Sequence, residues 1–228
     1  MGKTTLALEI ARNAAKDGGV LFVSLEMSKE QLVGKLNSMI SGIPANRALL
    51  EEIQSEEEYS RLVSANCELE KLHLYICGSE TATVSAIRAR ARSVPNIRLI
   101  VIDYFGLMEN PGKATSRYEQ MTNISRDVKK LAAKLDVPVL LLAQLNRENT
   151  GRQDKRPQLS DLRDTGALEQ DADAVCMLHR ERYYNADGET LGVGDGEPME
   201  ILVKKNRFGR VGKVEVGFYP ATGNVLPL

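Results

Sequence analysis

Tryptophan is absent from this chain, and aromatic residues make up only 5% of its 228 residues. That argues against base stacking as the main source of any affinity for nucleic acid and for tracking of the sugar-phosphate backbone. An excess of positive charge is missing as well: 30 Lys and Arg stand against 31 Asp and Glu, a formal net charge of −1. Proteins that coat DNA nonspecifically are strongly basic, so nucleic-acid contact has to come from local loops. Cysteine is scarce. Cys67, Cys77 and Cys176 show no C-x-x-C spacing and, being three, cannot all pair, which excludes a disulfide framework and points to a reduced, cytoplasmic setting. The two histidines, His73 and His179, sit in apolar stretches and read as core-edge residues rather than metal ligands. No run is long and apolar enough to cross a membrane, and no secretory leader is recognisable. The 43% hydrophobic content supports a substantial core, at a length that suits one α/β domain or two small ones.

The pattern of apolar residues orders the elements. Leu6, Ala7, Ile10, Ala11 and Ala14 step at helical spacing across residues 4–16, and residues 20–25 read as a short buried strand. Ser28 and Gln31 form a capping box that opens a helix to about Ile40. Residues 45–71 read as two polar helices, 72–76 as a strand and 81–93 as a helix with Arg88, Arg90 and Arg92 exposed. A second apolar strand, 98–103, ends in a carboxylate. A long helix carrying Met121, Ile124, Val128, Leu131 and Leu135 follows a loop at about 109–117. A third apolar strand, 139–143, ends at Gln144 and leads into a polar loop at about 146–160. A short helix over 166–173, a strand over 174–179 and a hairpin of 199–205 with 212–218 close the chain. Strands apolar on both faces and separated by helices predict an α/β fold, a mostly parallel sheet covered on both sides, with a C-terminal β-hairpin.

Ligands of such sheets bind at the carboxyl ends of the strands, where Glu26, Asp103 and Gln144 each follow a buried run. Met1-Gly2-Lys3-Thr4-Thr5 reads as the end of a G-x-x-x-x-G-K-[ST] phosphate loop. In that reading Lys3 reaches the β- and γ-phosphates of a nucleotide, Gly2 and Thr5 complete the cradle, and Thr4 with Asp103 holds Mg²⁺. Glu26 orients the attacking water, and Gln144 senses the γ-phosphate. Each residue also has an ordinary reading: a helix start at Gly2–Thr5, a strand-terminal turn at Asp103, a first-turn charge at Glu26.

These residues, with several longer blocks, resemble the C-terminal motor domain of DnaB-type replicative helicases, which have the RecA-like fold. Ser24-Leu25-Glu26-Met27-Ser28 is similar to that family's S-L-E-M-S, Leu99 to Tyr104 to its Walker B strand, and Ala143 to Arg147 to its S-Q-L-x-R stretch. Asp154-Lys155-Arg156-Pro157, Ser160 to Gly166 and Glu169-Gln170-Asp171-Ala172-Asp173 match its D-K-R-P, S-D-L-R-E-S-G and E-Q-D-A-D blocks. The resemblance covers nearly the whole chain and implies one motor domain over 1–228. It implies ATP-driven translocation on single-stranded DNA with 5′ to 3′ polarity, and six-subunit rings with ATP between subunits. Primase and a helicase loader are implied partners. By the same resemblance Lys205 and Arg207 reach the neighbour's nucleotide, and Arg163, Asp164 and Gly166 form a DNA-binding loop. The loop with Lys113 and Arg117 also faces the channel in this reading. Lys35 stands where many relatives carry an arginine that helps hold the nucleotide.

Two departures qualify the match. Lys205-Asn206-Arg207-Phe208-Gly209 also resembles the K-N-R-F-G of RadA-type recombination ATPases. The chain begins within the phosphate loop, so the strand that leads into that loop in relatives is expected to be missing. A module that assembles or binds DNA without turnover is therefore the alternative to a working motor.

Overall fold

The computed structural model describes residues 2–50, 53–110, 116–145, 152, 154–185, 192 and 194–228; the side chains of 49, 50, 163–165, 184 and 185 lie outside the described part. Four strands build a parallel sheet in the order β2-β1-β3-β4: β1 is Gly19–Ser24, β2 Leu74–Cys77, β3 Ile97–Asp103 and β4 Val139–Leu141. Alternate residues of the central strands face opposite layers. Leu21, Val23, Ile100 and Ile102 pack with Ile87 of α5 (Val84–Arg92) and with Met121, Ile124, Val128 and Leu131 of α6 (Arg117–Leu135). Val20, Phe22, Leu99 and Val101 pack on the other face with Ala7, Leu8 and Ala11 of α1 (Lys3–Ala14) and with Leu32, Leu36 and Met39 of α2 (Lys29–Ser41). Each fully buried Leu, Ile or Phe in these layers contributes roughly 1.5–3 kcal/mol. The two polar helices lie at α3, Ala45–Leu50, and α4, Glu56–Glu70.

The third apolar strand is shorter than its sequence suggests. Its ladder ends at Leu141, although Leu142 N–H still donates to the Ile102 carbonyl at 3.0 Å. Beyond it, residues 159–165 form a 3-10 helix rather than an open loop and run into α7, Gly166–Asp171.

The expected hairpin is the middle of a larger element. β5 (Ala174–His179), β6 (Glu197–Asn206), β7 (Gly212–Tyr219) and β8 (Asn224–Pro227) form an antiparallel sheet in chain order, and α8, Glu181–Asn185, follows β5. Residues 174–179 thus pair antiparallel to β6 and belong to a different sheet from β1–β4. β8 was not foreseen, because four residues ending in Pro227 carry little alternation. β4 and β5 are each the terminal strand of their sheets, and the start of α1 touches both layers. A Cβ on Gly2 would lie 3.3 Å from Phe218 of β7, while Lys3 reaches the carbonyl of Ala143 just beyond β4.

Candidate active site

Four longer helices have their first N–H groups closed by a hydroxyl. Ser28, Ser55, Thr83 and Ser116 cap α2, α4, α5 and α6, and Ser28 makes the reciprocal capping box with Gln31. α1 differs. Its N-cap is Gly2, at φ 97° in the left-handed region that favours glycine, with no side-chain cap and no acidic residue in the first turn. A helix start of this kind presents N–H groups and the positive end of the helix dipole to an anion.

Lys3 stands at that start and points along the carboxyl edge of the parallel sheet. Its ammonium donates to the Ala143 carbonyl at 3.1 Å, one residue before Gln144, and lies 5.8 Å from the centre of the Tyr104 ring. Burial pushes the Lys3 pKa below its ordinary 10.5, and the charges of Asp103 and then Glu26 partly oppose that shift. Next to it, Thr4 Oγ1 donates to Asp103 Oδ2 at 2.7 Å. Asp103 is 1% exposed. Burial raises its pKa above 3.8; the Thr4 hydroxyl opposes this, Glu26 adds to it and Lys3 opposes it.

The register explains why these groups meet. Ser24 of β1 is opposite Asp103 of β3, and Leu25 N–H donates to the Asp103 carbonyl at 2.6 Å. Exposed Glu26 therefore follows directly at the same edge. Lys3, Thr4, Asp103 and Glu26 form one electrostatic cluster, with exposed Gln144 adjoining it through Ala143. Hydroxyl and carboxylate oxygens brought within hydrogen-bond distance are the hard donors that suit Mg²⁺, and the neighbouring ammonium suits a phosphate. The donor set fits a magnesium nucleotide.

Lys35 lies elsewhere. With Gly2, Thr5, Met39, Phe218 and Thr222 it lines a cavity of about 140 Å³ between α1, α2 and the second sheet. Gly2 and Thr5 join this cavity to the cluster.

The proposed trans-acting cations are held by one segment. Lys205 Nζ donates to the carbonyls of Glu169 at 2.6 Å and Gln170 at 3.2 Å, and Arg207 pairs with Asp173 at 3.2 Å. The Arg207 side chain is 49% exposed, outside its own core. Gly166 opens α7 in ordinary right-handed geometry, φ −51°, so its backbone does not require glycine; an added Cβ would meet only the Tyr118 hydroxyl, at 4.0 Å. Arg163 and Asp164 lie on the 3-10 helix, but their side chains, together with Met1, Lys113, Asn146 and Arg147, fall outside the described residues. Arg117, exposed at the start of α6, donates to Gln120 and to the Gly106 carbonyl. His179 is buried against Glu181, whereas His73 is exposed rather than at a core edge. Among the described residues no cluster of His, Cys, Asp and Glu suits a metal on its own, and no helix is long and apolar enough to cross a membrane.

Sequence reasoning missed two members of the neighbourhood. The Ala143 carbonyl carries no side-chain signal at all. Tyr104 is visible only as the residue after Asp103, and nothing in its spacing announces a ring near Lys3.

A family model described as the DnaB-like helicase C terminal domain matches residues 1–225. The replicative DNA helicase DnaB of Geobacillus stearothermophilus is 38% identical over 224 residues, which cover 96% of this chain and 48% of that protein. A probable plasmid replicative DNA helicase of Chlamydia psittaci is 38% identical over 228 residues, 98% of this chain and 48% of its own length. Among solved structures, a DnaB-like replicative helicase, described with its interactions with primase, superposes with a TM-score of 0.89 at 38% identity, covering all of this chain and 56% of that one. A second solved structure, of an ATPase domain, also gives 0.89, at 36% identity, covering all of this chain and 81% of that one. The chain thus spans about half the length of the curated relatives it matches. On these matches, and on the site at the sheet edge, the chain belongs to the family of DnaB-like helicase C-terminal domains.

Proposed function

We propose that this domain is the ATP-hydrolysing motor of a replicative ring helicase, moving along single-stranded DNA and separating the duplex. The observation that carries the reading is the cluster at the uncapped start of α1: a half-buried ammonium, a hydroxyl bonded to a buried carboxylate and a second, exposed carboxylate, all at one sheet edge.

In this reading Gly2, Lys3, Thr4 and Thr5 hold the phosphates of ATP, and Thr4 and Asp103 hold Mg²⁺. Lys35, which shares a cavity with Gly2 and Thr5, helps hold the nucleotide. When bound there, the metal would neutralise negative charge on the phosphates. Lys3 withdraws its ammonium from the Ala143 carbonyl toward phosphate oxygen. The Glu26 carboxylate accepts a hydrogen bond from the attacking water and draws its proton away. Gln144, on the same short segment as Ala143, registers whether Lys3 is engaged. Lys205 and Arg207 of an adjoining copy add positive charge at the transferring phosphoryl group. Arg163, Asp164 and Gly166 contact the DNA backbone in a sequence-tolerant, salt-sensitive way. Six copies form the ring, in the cytosol. Primase, with which one structural relative interacts, is a candidate partner of the whole protein, and so is a loader.

The test is Glu26→Gln in a chain carrying the complete G-x-x-x-x-G-K-T loop. Hydrolysis is abolished while ATP binding stays within about twofold, since the carboxylate acts on water rather than on phosphate. Full residual turnover removes Glu26 from its role. Comparing the ATP affinity of the 228-residue chain with that of the longer one separates a motor from an assembly module: equal, tight binding rejects the module.

A further inference from the structure

Residues 169–173 make contacts in two directions. Toward the second sheet, the carbonyls of Glu169 and Gln170, at the end of α7, accept from Lys205. Asp173 Oδ1 accepts from Arg207, and the Asp173 carbonyl accepts from the Arg207 backbone N–H at 2.7 Å. Toward the parallel domain, the Ser125 hydroxyl donates to Asp171 at 2.6 Å, and Lys129 of the same helix α6 is ion-paired with the second oxygen of Asp173. One five-residue stretch therefore grips both cations of Lys205-Asn206-Arg207 and is itself tied to α6.

The geometry points to Asp173 as the residue that positions Arg207, with Lys129 as its anchor. This inference rests on the reading that Arg207 serves a neighbouring copy's nucleotide. A guanidinium at the end of a long side chain loses its effect when free to sample many rotamers, because phosphoryl-transfer catalysis depends on charges already in place. Arg207 meets Asp173 through one nitrogen, Nη1, so other donors of its fork are left for a phosphate. The two oxygens of Asp173 divide the work: one holds the arginine, the other is held by Lys129. The hydrogen bond from Lys129, with the charges of Lys129 and Arg207, also holds the Asp173 pKa below its ordinary 3.8. The backbone bond from Arg207 to Asp173 fixes the Cα of the arginine, and the side-chain pair fixes its tip. Asp173 touches no reacting atom in this scheme and acts only through Arg207.

The test uses two readouts. In the 228-residue chain without nucleotide, the Arg207 Nε–Hε group gives a heteronuclear NOE typical of an ordered side chain. Asp173→Ala brings it to the value of a mobile one. In the assembled, ATP-hydrolysing protein, Asp173→Ala lowers kcat about tenfold with KM for ATP changed less than twofold, Asp173→Glu restores at least half of the lost rate, and Lys129→Met gives an intermediate kcat. Should Asp173→Ala fold poorly by thermal melting, Asp173→Asn, which keeps the shape, shows the same direction with a smaller drop. Unchanged or raised kcat in Asp173→Ala, in a protein that Arg207→Ala inactivates, overturns this assignment and leaves the trans-acting role of Arg207 standing. Wild-type turnover in Arg207→Ala overturns both.

Discussion

Replacing Thr4 by valine keeps the side chain's shape and deletes one hydrogen bond, the 2.7 Å donation to Asp103 Oδ2. Asp103 is 1% exposed and cannot recover that donor from solvent. A hydrogen bond to a charged group is worth about 1.5–3 kcal/mol, and the half-buried position of Thr4 places the loss at about 1–2 kcal/mol. For a chain of this length that lowers the melting temperature by about 2–8 °C. The loss depends on pH, and its sign follows from the groups involved. Burial makes the ionised form of Asp103 costly and raises its pKa, whereas the Thr4 hydroxyl favours that form. The hydroxyl's stabilisation is present where Asp103 is ionised and fades as the pH falls through its pKa, above the ordinary 3.8. Urea unfolding of both proteins at about pH 8 and below the ordinary carboxylate pKa, at about pH 3, measures this directly, and Asp103→Asn as a second background shrinks the Thr4→Val penalty by about half. A penalty under about 0.5 kcal/mol, or one equal at both pH values and in both backgrounds, refutes the claim that this bond supports a buried ionised carboxylate.

Other perturbations probe the frame around the site. Arg156 donates two bonds to Glu200, at 2.7 and 2.9 Å, and holds the Glu200 pKa down to about 2. That pair stabilises the fold above the ordinary 4.5 and is lost toward about 2, so Arg156→Ala flattens the acid side of the stability curve; Lys213 retains part of it, and an unchanged slope of urea midpoint against pH contradicts the assignment. Ser28→Ala removes the capping box at the start of α2 and costs about 1 kcal/mol, read as a melting shift of about 2–4 °C. Phe208, 85% exposed on the β6–β7 turn, changes to Ser within about 0.5 kcal/mol of stability, yet weakens nucleotide-dependent assembly as followed by light scattering.

Legibility in the sequence tracked the range of the forces involved. Local signals were clear: the Ser28–Gln31 box, the stripe from Met121 to Leu131 and the buried runs ending at Ser24 and Asp103 all lie where their spacing puts them. The meeting of Glu26, Lys3, Thr4 and Asp103 was legible because parallel strands align their carboxyl ends, so one topological rule brings distant residues together. Partition into two sheets was not legible. Residues 174–179 are as apolar as the parallel strands, and only pairing with β6 decides their direction. The 3-10 geometry of 159–165 was hidden by a polar composition that fits a loop equally well. Contacts through backbone carbonyls, Ala143 for Lys3 and Glu169 for Lys205, leave no mark in side-chain chemistry.

The character of the β6–β7 turn argues for where its cations act. Arg207 lies in it with Phe208 and Val211, and Lys205 and Val214 flank it on β6 and β7; Phe208, Val211 and Val214 are 85%, 63% and 54% exposed. A surface that only tracked phosphates would gain nothing from three apolar side chains in water, and a chain with 5% aromatic residues spends few rings on its surface. Apolar residues ringed by lysine and arginine fit a protein face that excludes water around a buried charge. Among the described residues, the charges that act on Lys3 are the carboxylates of Asp103 and Glu26, and the ATP of the proposed function would add more negative charge. Among the described residues no guanidinium joins this cluster, and in the proposed function the turn of an adjoining copy delivers one in a water-excluding contact. The ring proposed above meets both demands at once, with the turn of one copy docked beside α1 of the next.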